Sequence, residues 1–395
     1  MANTLLTNDI ISKTALMEFK NNLVMAKTCR RQYQEDFNVT TGSTIRIRKP
    51  TRYTVREGRS LQVQNIQERQ ETLTIAYQDG VDVAVTSQEL SLQLDDFNRD
   101  ILTPAMLQLA NKVDQRLYNT TLDIYNAVGT PGSSPNSFAT VNNAGALLTS
   151  YGTELKNRFA MFSPTDGAAV QNSLYNTFNE QFNKSIILDG MMGNLAGFDC
   201  YQVQNTIRPV VVSTQSIGTP LVNGVSQSGA VLNVDGLTNG MTIYKGAVFT
   251  IADVYAVNQI TRNPLINLQQ FVVTADTVVN GSGQAALPIG PAIVLTGPYQ
   301  NVSAGPVDGA ALTFVTAQST RNIAYNSEAF TLAVIKLPAD NNNGAWQRAM
   351  VDKDANVSIR MTRQYDIQND QDIIRFDILY GVKCFPEYAG IIWGA

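Results

Sequence analysis

Apolar positions along the chain change period several times, and each change marks a candidate element. Near the start, Ile10, Ile11, Ala15, Leu16, Phe19, Leu23 and Val24 recur at helical spacing ahead of the polar run "KTCRRQYQEDF". The spacing predicts a short amphipathic arm over residues 1–36, packed either on its own domain or on a neighbouring subunit. From Gly42 the period becomes two. Ile45 and Ile47 alternate with Thr44, Arg46 and Arg48; further on, Leu73, Ile75 and Tyr77 alternate with Thr72, Thr74 and Ala76. Two strands joined by a long polar connection make an extended hairpin over residues 37–85. The connection "RKPTRYTVREGRSLQVQNIQERQE" has little to bury, and a two-stranded ribbon is marginal alone in water, so it needs something to lie on.

The helical period returns over residues 86–130. Thr103 suits an N-cap, Pro104 the first helical position and Gly129 a stop, with Met106, Leu109, Val113, Leu117, Ile124 and Val128 forming one stripe. That predicts a spine helix of roughly 25 residues, on the order of 37 Å long. Over 131–207, "NNAGALLTSYGTEL", "SPTDGAAVQNSLYNTFNEQF" and "IRPVVVS" read as helix, helix and strand, with Ser163, Pro164 and Asp166 opening the second helix. Residues 208–322 differ in kind: short apolar runs, Asn-Gly turns at Asn223, Asn239 and Asn280, and almost no charge. They predict an all-β barrel or sandwich inserted into the α/β unit, which resumes over 323–350. The chain closes over 351–395 with strands in "VSIRMTRQYDIQNDQDIIRFDILYGVKCFPEYAGIIWG", turning at "QNDQ". The class is α+β.

Composition narrows what such a chain can do. Charged residues are 16%, well under the ~25% typical of soluble domains, so Asn, Gln, Thr and Ser supply much of the polar surface. Such a surface repels neighbours poorly and suits a protein that buries itself against partners. Histidine is absent, which excludes Ser-His-Asp and Cys-His catalysis and any His-ligated zinc site. Cys29, Cys200 and Cys384 lie far apart with no C-x-x-C, a usage that fits a reducing compartment. The N-terminal sequence lacks the pattern of a secretory signal, and no stretch approaches the ~20 apolar residues of a membrane span. A net charge of −4 argues against general nucleic-acid coating.

Against that acidic background, residues 42–60 hold Arg46, Arg48, Lys49, Arg52, Arg56 and Arg59 with a single acid, Glu57. A charged solvent edge that blocks strand pairing is one reading, and a basic arm seeking an acidic neighbour is the other. No chemical site competes for attention. "GMMGNLAG" (190–197) lacks the lysine and spacing of a phosphate-binding turn, and "DNNNG" (340–344) misplaces the glycine and lacks the glutamate of a calcium loop. The acids of "QNDQD" and "DDFNRD" have no cleft to work in. The expectation is no catalytic, cofactor or metal residue.

Several stretches in order carry a family resemblance: "LTPAMLQLANKVDQRLY", "GNLAGFDCYQVQN", "KGAVFTIADVYAVNQITR", "LQQFVVTAD", "NIAYNSEAFTLAVIKLP" and "SIRMTRQYDIQNDQDIIRFDILYGVKCFPEYAGII". Together they resemble the major capsid protein of tailed bacteriophages with the Hong Kong 97 fold, in the short-tailed branch that carries an inserted β-barrel. The resemblance implies an N-arm, an extended loop lying across an adjacent subunit, a peripheral domain built on the spine helix and closing strands, and an axial domain. It implies self-assembly through hexamers and pentamers into an icosahedral head around double-stranded DNA. A scaffolding protein and a portal are implied as partners, with a decoration protein as a further candidate. DNA is met only by non-specific proximity and no membrane is involved. The protein is expected in the virion, after synthesis in the host bacterial cytoplasm. The six cations then meet acids of a neighbour, for which Asp95, Asp96, Asp366, Asp370 and Asp372 are candidates. An encapsulin-type nanocompartment subunit is the alternative within the fold; a surface adhesin and an enzyme are the alternatives outside it.

Overall fold

The computed structural model describes residues 8–33, 37, 42–56, 58–61, 63–66, 68–86, 98–174, 193–214, 216–339, 345–352 and 356–395. The chain divides into two compact units, one of Met1–Arg48, Gln70–Tyr118 and Phe330–Lys383, the other of Lys49–Arg69, Asn119–Ala329 and Cys384–Ala395.

In the first unit a sheet runs in the order β17 (Phe330–Ile335), β20 (Gln371–Cys384), β19 (Val357–Asp366) and β18 (Trp346–Asp352). β3 (Tyr77–Thr86) pairs antiparallel with β20 from Tyr77↔Tyr380 to Thr86↔Gln371. β19 and β20 meet at the "QNDQ" turn, where Asp370 takes φ 50°, a left-handed conformation that Asp tolerates. Helix α1 (Asn8–Asn22) lies on β18 and β19 with Phe19 fully buried, so the arm's apolar stripe is covered by its own unit. A short helix, α2 (Met25–Thr28), follows, and the buried Asp114 accepts the N–H groups of Val24 at 2.7 Å and Ala26 at 2.9 Å at its start. Asp114 comes from α3 (Thr103–Asn119), which buries Met106, Leu109, Val113 and Leu117.

The spine helix is shorter than its apolar stripe predicts. α3 ends at Asn119, giving a length of about 26 Å, and a 3-10 turn at Thr120–Asp123 leads into extended chain. Two adjacent β-branched threonines favour the break. Ile124 is still buried, but from an extended segment rather than a helix. In the same unit β1 (Thr44–Arg48) pairs with β2 (Gln70–Thr74) from Thr44↔Thr74 to Arg48↔Gln70, burying Ile45, Ile47 and Leu73 on one face.

The second unit holds a mixed sheet ordered β4 (Ala127–Val128), β21 (Ala389–Trp393), β16 (Arg321–Asn326), β5 (Arg158–Phe162), β7 (Phe198–Gln202) and β6 (Asn194–Leu195). β5–β7 and β4–β21 are parallel. The strand expected in "IRPVVVS" is reduced to one isolated bridge, Val212↔Ile243. Helices α4 (Phe138–Ser150) and α5 (Pro164–Leu174) flank the sheet, the second opened by Ser163 Oγ accepting the Asp166 N–H at 3.1 Å. β21 carries the end of the chain into this sheet, apart from the closing strands β19 and β20.

The inserted segment forms a second sheet, ordered β15 (Leu312–Phe314), β11 (Val248–Val257), β12 (Pro264–Val273), β14 (Ala285–Ile293), β9 (Gly229–Leu237) and β8 (Gly218–Val222), and a two-stranded pair of β10 (Thr242–Ile243) and β13 (Thr277–Val278). The bridge Leu221↔Ala311 brings the two edges together, so the sheet is nearly closed. Leu232, Val234, Phe249, Phe271, Leu287 and Ile293 fill its interior. β8 and β9 approach so closely at Gly218 and Gly236 that a Cβ on Gly236 would stand 2.2 Å from the Thr219 carbonyl oxygen. At the barrel's root the fully buried Arg321 donates to the Thr121 carbonyl at 3.3 Å and to the Gly246 carbonyl. All three cysteines are buried and none is in a disulfide; burial pushes the Cys200 thiol up to about 12 and that of Cys29 higher still.

Candidate assembly interface

Alternation along β1 points Arg46 and Arg48 to the exposed face opposite Ile45 and Ile47. Beyond it, the described residues between 49 and 69 form a loop without ladder structure. Its root is closed by the Lys49 N–H donating to the Arg69 carbonyl at 2.9 Å. Farther out the Thr54 N–H donates to Gln64 Oε1 at 2.7 Å, and Gln64 Nε2 returns a bond to the Thr54 carbonyl. Arg56 folds over the tip, donating to the carbonyls of Gly58 and, at 3.2 Å, Ser60. The apolar side chains of this loop find no core: Val55, Leu61 and Val63 are 95%, 82% and 81% exposed.

The root of the loop, by contrast, is well held. Glu387 sits in a 3-10 turn, Pro386–Tyr388, ahead of β21. Its carboxylate is 3.0 Å from Lys49 Nζ, 3.6 Å from an Arg69 nitrogen and 3.7 Å from an Arg52 nitrogen. Burial alone would raise this carboxyl, but the charges of Lys49, Arg69 and Arg52 and the Lys49 hydrogen bond outweigh it and hold the carboxyl below its usual range. The Arg52 and Arg69 guanidinium groups lie 5.9 and 5.2 Å from the Tyr299 ring centre, and Lys49 Nζ lies 5.6 Å from that of Phe385. Cavities of about 210 and 370 Å³ flank the cluster, the larger reaching Tyr125, whose hydroxyl is pushed well up by burial and by the Glu387 charge.

Of the six cations, Lys49 and Arg52 meet Glu387 of their own chain, Arg56 shapes the tip, and Arg46, Arg48 and Arg59 are exposed. Asp95 and Asp96 lie outside the described residues. Asp366, Asp370 and Asp372 gather at the β19–β20 turn, each with a local partner. Asp366 accepts from the Gln368 N–H and from Asn369, Asp370 from the Tyr365 hydroxyl, and Asp372 pairs with Arg363. Bonds from Asn369 and Gln368 hold the Asp366 carboxyl below its usual range. Sequence reasoning missed Glu387, Arg69 and Tyr299. One signal was available: Glu387 is the only charged acid in the apolar run from Ile378 to Ala395, where an acid must find cations.

Among the described residues no group of three Cys, Asp or Glu side chains could hold a metal, and no helix is long and apolar enough to cross a membrane. Residues 340–344 of "DNNNG" lie outside the described residues, and the described part of "GMMGNLAG" is β6 with the turn into β7.

The chain matches the profile of the family described as "P22 coat protein - gene protein 5" over residues 1–393. No curated protein sequence matches it significantly. Solved structures similar to it include one from Mycobacterium phage Che8, 14% identical with a TM-score of 0.47, covering 94% of this chain and 90% of that one. The capsid of Ralstonia phage GP4 is 8% identical with a TM-score of 0.46, covering 93% and 87%. The CUS-3 coat protein I-domain is 27% identical with a TM-score of 0.20, covering 25% of this chain and 96% of that one. The family match, which spans nearly the whole chain and includes the inserted barrel, carries the assignment and disfavours a nanocompartment subunit. This is a structural major capsid protein of a tailed phage, a component of the virion that assembles with copies of itself, and the chain belongs to the P22 coat protein family.

Proposed function

We propose that the loop at residues 49–69, with Arg46 and Arg48 on the strand feeding it, is the contact through which one subunit grips the next in hexamers and pentamers. The observation that carries this is the pairing of exposed apolar side chains with exposed cations on a loop that has no core. Val55, Leu61 and Val63 are each more than four-fifths exposed, beside Arg56 and Arg59. Covering each aliphatic side chain is worth about 1.5–3 kcal/mol, and each exposed ion pair up to about 1 kcal/mol, small sums repeated at every interface of the shell. Acids of the receiving subunit complete the contact, with Asp366, Asp370 and Asp372 as candidates alongside Asp95 and Asp96. Lys49 and Arg52 serve the same contact indirectly, by anchoring the loop on Glu387.

The wider assignment is supported by this reading and by the family. The shell encloses a double-stranded DNA genome, whose packing a net negative chain does not impede. A scaffolding protein and a portal direct closure, a decoration protein is a further candidate partner, and synthesis takes place in the host bacterial cytoplasm. The role is structural and not enzymatic. The test is the double variant Arg56→Glu, Arg59→Glu. Its monomer is expected to keep the wild-type circular dichroism and melting profile while closed particles vanish from sedimentation and negative-stain images. Unimpaired shells would refute the loop's role.

A further inference from the structure

We infer that the inserted barrel acts as a socket that aims the loop of its own subunit, an inference that rests on the reading of that loop as the assembly contact. Two turns of the barrel reach the loop's root. Arg262, at the β11–β12 turn, donates to the carbonyls of Gly297 at 2.9 Å, Pro298 at 3.3 Å and Tyr53 at 3.5 Å, so it joins the second barrel turn to the outgoing leg. Tyr299, in that second turn, faces Arg52 of the outgoing leg and Arg69 of the returning leg with one ring. The two legs therefore share one barrel side chain as well as one carboxylate, Glu387.

The socket itself is stiff. Asn258 Oδ1 accepts the N–H groups of Ile260 at 2.8 Å and Thr261 at 3.0 Å, and its Nδ2 donates to the Ser150 carbonyl at the end of α4, at 2.8 Å. Ile260 lies on Gly152 so closely that a Cβ there would stand 2.7 Å from Ile260 Cδ1. The β11–β12 turn is thereby tied to the sheet layer of the same unit, and the loop legs are tied to the turn. A loop with no core of its own gains a fixed root, and the entropy of searching for its neighbour falls before assembly begins. The barrel thus does more than complete its own fold.

Hydrogen exchange of the unassembled subunit, read by mass spectrometry, tests the socket without relying on assembly. The peptide over residues 48–56 contains the bonded amides of Lys49 and Thr54. Tyr299→Ala removes both cation–ring contacts and is expected to speed exchange there roughly 5- to 30-fold, equivalent to about 1–2 kcal/mol at 1.4 kcal/mol per tenfold. Arg262→Ala is expected to act in the same direction, and Tyr299→Phe, which keeps the ring, to speed exchange less than Tyr299→Ala does. Peptides from β9 and β14 should keep their protection in every variant. Unchanged exchange over 48–56 in both alanine variants overturns the socket. Faster exchange with shells forming at the wild-type rate overturns the loop's role as assembly contact; faster exchange with slowed assembly supports both.

Discussion

Replacing Glu387 by glutamine keeps the shape of the side chain and removes its charge, leaving three cations at the root of the loop without their shared acid. The carboxylate is 14% exposed and Lys49 is 11% exposed at 3.0 Å from it. At an effective dielectric near 20, attraction across that gap is about 5–6 kcal/mol, of which desolvation of the two ions returns roughly half. Arg52 and Arg69 are more exposed, and each adds about 0.5 kcal/mol. The expected loss is about 3.5–4 kcal/mol, read as a lower urea midpoint for the transition of the unassembled subunit. The pH dependence has a definite sign. Because the folded carboxyl sits below its unfolded value near 4.5, its contribution is complete above that value and is lost as pH falls through the folded one. Wild type and Glu387→Gln should therefore differ fully at pH 7 and converge in acid. Lys49→Met combined with Glu387→Gln should recover part of the loss, since a buried pair is costlier to break than to replace. Equal midpoints at pH 7, or a gap that persists in strong acid, would refute the reasoning.

Two further outcomes are expected. Asp114→Ala leaves the N–H groups of Val24 and Ala26 without their acceptor at a buried site, a cost of about 2–4 kcal/mol; exchange over residues 24–28 should accelerate before that of α3. Gly236→Ala places a Cβ against the Thr219 carbonyl at φ 69°, and should cost about 2–4 kcal/mol. A melting profile like that of wild type would show that β8 and β9 can part there without penalty.

The local period gave away the elements whose burial is regular. Ile45, Ile47 and Leu73 marked the paired faces of β1 and β2, and Ser163 with Asp166 marked the start of α5. The same rule overran at the spine, because Ile124 continues a helical stripe that the chain fulfils by burying it from an extended segment. Apolar spacing reports which positions are buried, not which backbone buries them. The site was half legible for a related reason. Six cations in one stretch announce a basic loop, but the acid that holds two of them is 338 residues from Lys49 in the chain. Only the fold brings Glu387 there, through the pairing of β21 with β16. The barrel's grip on the loop was hidden likewise, since Tyr299 and Arg262 sit in turns whose sequence says nothing of what lies opposite them.

The burial of all three cysteines has a practical consequence. The thiolate is the species that reacts with a maleimide, and Cys29 and Cys200 are held protonated and out of reach, with Cys384 only 4% exposed. A subunit carrying Val55→Cys, at a position 95% exposed, should accept one dye at one place without removal of the native thiols. Every copy in a particle would then report from the same point of its loop, and energy transfer between dyes would follow closure in real time.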